Sequence, residues 1–310
     1  MSSYLVGIGG EDDYNKLPIP HFVINLATQA LGDCIARLSI IPMFFQDVPH
    51  VTHLSIICPA YLIPFAKRML AIYPVTFYPM GSELPAFLDG AAAFTFFGET
   101  LTTLRIGLME HAHLLLLQRE LPPKSYYISV PPVDIAKPFV DYVVGTIDFT
   151  SPVRSMSVQT FLDIADGCPL PIVLIGNKSN LKDTNQPVLP AHPNIIDKRN
   201  QTTICEAQAI LHHSRAVFGI DNGLLHLAGT TGTHIIAGYT SVAPEIRVPK
   251  RLNGKLTVLV PPEDTCRFCQ SKSHFFYNHD FRNCAIVYTK CIKSLTADKW
   301  INAIKEAIHE

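Results

Sequence analysis

AVFGIDNGLLHLAGTTG, residues 216–232, reads as a strand that runs straight into a helix. Arg215–Ile220 is rich in β-branched and aromatic residues, as a buried strand requires. Asp221, Asn222 and Gly223 then form a turn, and a helix starts at Leu224 and runs toward Thr230. In open parallel α/β sheets, ligands bind beyond the carboxyl ends of the strands, where such corners lie. Asp221 and Asn222 carry the groups to hydrogen-bond sugar hydroxyls. The backbone N–H groups of Gly223 and Leu224, near a helix start, suit a diphosphate. His226 falls in the first helical turn. A capped turn with a packed histidine is the plainer reading of the same residues.

Outward from this corner the pattern repeats. Strands are expected at 141–147, 171–175, 194–197, 233–239 and 256–260, with helices at 158–165 and 203–212. Before them, strands at 21–26, 51–57, 75–78 and 91–97 alternate with helices at 32–45 and 60–72, and residues 114–117 read as a further strand. The proline-rich stretch 131–138, PPVDIAKP, is the natural linker, because proline disfavours helix interiors and central strands. Two doubly wound halves follow: a Rossmann-like domain over 1–135 and a second over 136–295, with a terminal helix near 296–310 expected to pack back toward the first.

The 310 residues are 48% hydrophobic and 16% charged, enough apolar material for two cores and too little charge for a disordered chain. A formal net charge of -1 gives no general attraction to nucleic acid or anionic membranes. The sequence shows no secretory leader, and no apolar run approaches the roughly 20 residues that span a bilayer. A cytoplasmic protein is expected. In that compartment the eight cysteines read as free thiols or metal ligands rather than disulfides.

Three other groups of residues carry chemistry. Gly32-Asp33 lies where the first strand turns into a helix, and a carboxylate there can serve as a general base or simply as a helix-start acid. Residues 148–154, DFTSPVR, follow the first strand of the second half, and the Thr150 hydroxyl and Arg154 guanidinium are good phosphate ligands. Cys266, Cys269, Cys284 and Cys291 form the third group. The first two are a CxxC, with 14 residues between Cys269 and Cys284 and six between Cys284 and Cys291. Four thiolates at such spacings fit a closed structural zinc or iron site, or remain reduced thiols. The sequence lacks G-x-G-x-x-G, a Walker loop, H-E-x-x-H and Asp-x-Asp, so no catalytic metal is expected.

Taken in order, GD, the strand-end loop with its arginine, PIVLIG, NIIDKRNQTT and AVFGIDNGLLHLAGTTGTHIIAGY resemble the ADP-heptose:lipopolysaccharide heptosyltransferases, glycosyltransferase family nine. The resemblance runs over most of the chain and is strongest from about Val143 to Pro249. It implies a GT-B fold, two Rossmann-like domains facing a central cleft. It also implies roles. Asp33 is the catalytic base, and Arg154, with Thr150 beside it, contacts the donor diphosphate. Asp221, Asn222, Gly223, Leu224 and His226 hold donor sugar and phosphates, and Thr202 lines the nucleobase pocket. The cysteine segment is similar to that of the autotransporter heptosyltransferases, where four cysteines bind iron. Asn222 stands where the family has Ser or Thr, and residues 177–180, NKSN, stand where it often has an acidic residue.

The expected function is inverting, metal-independent transfer of a heptose-like sugar from a nucleoside diphosphate donor to a glycan, protein or other hydroxyl acceptor. Two alternatives stay open. One is a nucleotide-sugar-binding homologue without transfer activity; the other is a transferase acting on modified bases of viral DNA.

Overall fold

The computed structural model describes residues 21–83, 85, 88, 91–96, 107–136, 140–147, 154–177, 189–269 and 290–309. They fall into two compact units, the second beginning at Ser129 and also taking in Gly107.

The first unit has strands β1 (His21–Asn25), β2 (His53–Cys58), β3 (Val75–Pro79) and β4 (Ala92–Thr95), all parallel and ordered β3-β2-β1-β4. Its helices are α1 (Leu31–Ser39), α2 (Ile41–Asp47), α3 (Ile63–Met69) and α4 (Leu108–Leu117), with a 3-10 turn at Ala60–Leu62. The single helix expected over 32–45 is two helices. Pro42 sits in the first turn of α2, and Ile40 between the two adopts φ -90° and ψ -8°. Pro64 likewise starts α3 after the 3-10 turn. Proline brings a fixed φ but no N–H, so it opens a helix rather than continuing one. The strand expected at 114–117 is instead the end of α4. Leu108, Met109, Ala112 and Leu116 recur at helical spacing and are buried, which leaves Leu114 41% exposed.

The second unit has β5 (Val143–Thr146), α5 (Val158–Gly167), β6 (Ile172–Leu174), β7 (Ile195–Asp197), α6 (Ile204–His213), β8 (Ala216–Ile220), α7 (Gly223–Ala228), β9 (His234–Gly238), α8 (Pro244–Arg247), β10 (Leu256–Leu259), α9 (Lys290–Lys293) and α10 (Ala297–His309). Its six strands are parallel in the order β10-β9-β8-β5-β6-β7. Counted within the unit, that is the 3-2-1-4-5-6 order of a doubly wound nucleotide-binding sheet. Strands β5, β6 and β8 are buried along their whole length, as expected when helices cover both faces.

The terminal helix departs from expectation. It belongs to the second unit's core, where Trp300, Ala303, Ile304 and Ala307 are buried with Phe161, Ile172 and Phe218. Trp300 packs 6.2 Å from the Phe218 ring, and a Cβ on Gly238 would come within 2.8 Å of its indole. The apolar stripe of α10 therefore has its partner on the sheet that precedes it in the chain. Among the described residues, no helix is long and apolar enough to cross a membrane.

Candidate functional site

In the second sheet the chain winds outward in one direction from β5 and in the other from β8, so the winding reverses between these neighbours. Ligands of such sheets bind beyond the strand ends at that point. Thr146 ends β5 and Asp221-Asn222 follow β8, so the strand-to-helix corner of residues 216–232 lies there.

Asp221 is 4% exposed. Arg154 grips it from the other side of the reversal. Its Nε and Nη2 donate to the Asp221 carbonyl at 3.2 and 2.8 Å, and Nη2 lies 3.3 Å from Oδ2. Oδ2 accepts no hydrogen bond among the described residues. His226, 2% exposed, places Nε2 3.9 Å from Oδ1. A buried carboxylate oxygen that has an ion-pair neighbour but no hydrogen bond is incompletely satisfied, and a ligand hydroxyl would supply the missing bond.

Asn222 behaves differently from expectation. It is the N-cap of α7, and its Oδ1 accepts from the Leu224 and Leu225 N–H groups at 2.8 and 3.2 Å. Its Nδ2 donates to Thr146 Oγ1 at 3.1 Å. The side chain expected to meet sugar hydroxyls thus bonds within the protein, and so does the Leu224 N–H expected to meet a diphosphate. Thr146, which the sequence reading passed over, donates to the Phe218 carbonyl at 3.3 Å. Only glycine fits at 219, because a Cβ there would lie 2.2 Å from both the Thr146 carbonyl and its Oγ1. The signal for Thr146 was a polar residue ending an apolar strand, VVGT.

Thr202 is half-buried, just before Thr203, whose hydroxyl caps α6 in a reciprocal box with Glu206. Those bonds hold the Glu206 carboxyl below its ordinary range. Near it, Arg199 forms a two-pronged ion pair with Asp197, at 2.9 and 2.8 Å. Gly176 follows β6 with φ +132°, a conformation that glycine accommodates, and its carbonyl accepts from Asn200 N–H at 2.9 Å. Thr150 lies outside the described residues.

In the first unit the winding reverses between β1 and β4, and Asp33 sits in the first turn of α1, beyond β1. The connecting loop is braced. Asn25 Oδ1 accepts from Ala27 N–H at 2.9 Å, Ala27 adopts φ 50°, and the Tyr61 hydroxyl donates to the Gln29 carbonyl at 2.8 Å.

Of the cysteine group, Cys266 is exposed, Cys269 half-buried and Cys291 buried, while Cys284 lies outside the described residues. Phe268 anchors the CRFC stretch, its N–H donating to the Thr240 carbonyl at 2.7 Å and its ring packing on Val242, Ala243 and Ile246. Among the described residues, no three His, Cys, Asp or Glu side chains form a group that would hold a metal.

No family model matches the sequence, and no curated protein is found similar to it. Solved structures are. The iron-containing dodecameric glycosyltransferase TibC of enterotoxigenic E. coli matches with a TM-score of 0.69 at 16% identity, over 94% of this chain and 78% of that one. E. coli ADP-heptose lipopolysaccharide heptosyltransferase II gives 0.66 at 13% identity, over 93% and 98%. A family-nine glycosyltransferase of Veillonella parvula gives 0.61 at 12% identity, over 93% and 97%. The chain has the fold of the family-nine heptosyltransferases. The two doubly wound sheets are the two Rossmann-like units of that GT-B fold, and Asp33 and Asp221 each follow a strand that borders the reversal in its own unit.

Proposed function

We propose that the chain is an inverting, metal-independent glycosyltransferase that moves a heptose-like sugar from a nucleoside diphosphate to a hydroxyl of a glycan or protein. The observation that carries this is the buried Asp221 carboxylate, with an oxygen that accepts no hydrogen bond among the described residues and a guanidinium beside it, at the winding reversal. TibC, of the same fold, has been solved in complex with ADP-D-β-D-heptose.

In this reading Asp221 and His226 receive the donor sugar. Arg154, Thr150 and the Gly223 N–H receive the diphosphate, and Thr202 lines the nucleobase pocket. Asn222 and Leu224 shape the corner. Asp33 takes the proton of the acceptor hydroxyl as that oxygen attacks the anomeric carbon. The bond from that carbon to the diphosphate breaks, and the diphosphate leaves with the electron pair. Positive charge held near the leaving group is the type of stabilisation that usually contributes most.

An assay of nucleotide-sugar cleavage and transfer tests it. Asp33→Asn is expected to bind donor normally and to lose turnover by about 10²-fold or more. Full activity in that variant removes the base assignment. A binding homologue is the second reading, favoured by the internal bonding of Asn222. Donor bound by the native chain and never cleaved would favour it.

For the cysteine segment we infer a structural zinc or iron, supported by the CxxC spacing and by the iron-containing TibC. Elemental analysis is expected to find about one metal per chain; metal-free, fully folded protein contradicts this.

A further inference from the structure

Arg37 lies one helical turn beyond Asp33 in α1, on the same helix face, and is 3% exposed. Its Nη1 donates to the carbonyl of Leu26, the residue after β1. Its guanidinium carbon lies 4.9 Å from the ring centre of Phe96, the residue after β4. Both anchors are themselves fixed: Leu26 N–H donates to the Ile57 carbonyl at 2.9 Å, and Phe96 N–H to the Asn25 carbonyl at 3.0 Å. One side chain thus joins the helix of Asp33 to the ends of the two strands between which the winding reverses. A flat guanidinium can donate in its plane and lie against an aromatic ring at once; a lysine ammonium has no such face.

The groups that act on this cation, or on which it acts, are Asp33 and Cys34 on α1 and His111 on α4, while Cys58 on β2 acts on Cys34. Burial pushes both thiols up to about 12, so they stay neutral. Burial, and then the charge of Arg37, lower His111 below its ordinary value, so it too is neutral at pH 7. Burial also lowers Arg37 below its ordinary value, which the Asp33 carboxylate opposes. Arg37 is therefore the cation of this group.

We infer that Arg37 is a positioning residue for sugar transfer, holding the helix of Asp33 against both strand ends. The inference rests on Asp33 being the base.

Arg37→Met, Arg37→Lys and Asp33→Asn, each in the full chain, separate the possibilities through donor binding and kcat. Arg37→Met is expected to bind donor within about twofold of wild type and to lose about tenfold or more in kcat, as misplacement of a reacting group does. A purely structural role would lower stability and leave the kcat of the folded variant in place. Arg37→Lys keeps a reduced kcat. Wild-type kcat in Arg37→Met, with Asp33→Asn inactive, overturns the inference alone; a fully active Asp33→Asn overturns the base reading instead. Should Arg37→Met fail to fold, wild-type kcat in Arg37→Lys overturns the inference.

Discussion

Asn222 engages both ends of its amide within the protein, and the two ends do separate work. The oxygen caps α7, and the nitrogen ties that cap to Thr146 at the end of β5. Serine at 222 still accepts from the helix N–H groups but is too short to reach Thr146. Asn222→Ser is therefore expected to lose about 1–2 kcal/mol, the net value of the nitrogen's two bonds to Thr146, to its Oγ1 at 3.1 Å and its carbonyl at 3.4 Å. Asn222→Ala loses the cap as well, about 1 kcal/mol more. Adding Thr146→Val to Asn222→Ser costs less than it does in the native chain, because the shared bond is already gone. Urea unfolding measures all of these, and equal stability of the serine and alanine variants contradicts the division of roles. The sequence shows a polar residue at a strand end. It does not show where the amide turns, because the partner lies 76 residues earlier and is fixed only when β5 pairs with β8.

At the scale of elements, most strands were legible because parallel strands covered on both faces are continuous apolar runs, as in residues 216–220. Residues 113–118, HLLLLQ, show the limit of that signal. A short apolar run is equally compatible with a buried helix, and Leu108 and Met109 upstream decide the matter by completing the helical period. Arg37 escaped for a related reason. In α1 it is a lone charged residue in a helix that is otherwise apolar from Cys34 to Leu38, which reads as a solvated position. It is buried because Leu26 and Phe96 converge on it from separate strand ends. The stripe on α10 predicted that the helix packs, but an amphipathic helix does not name its partner. Trp300 found Phe218 and Gly238 in the second sheet.

At the scale of the molecule, identities of 12–16% to solved structures accompany coverage of 93–94% of the chain. Cores tolerate wide exchange of apolar residues when pattern and volume persist, so the order of strands outlasts the residues that build them. This chain has a pair of parallel sheets, each with an aspartate that follows a strand bordering its winding reversal. In the proposed function the second of these corners binds a nucleoside diphosphate sugar through Asp221. Calorimetric titration of the full chain and of Asp221→Asn with ADP-heptose measures this. One donor per native chain is expected, with affinity weakened by about 10- to 100-fold in the variant, the loss of one hydrogen bond to a charged group. Equal affinity in both proteins, or no binding to the native chain, would contradict it.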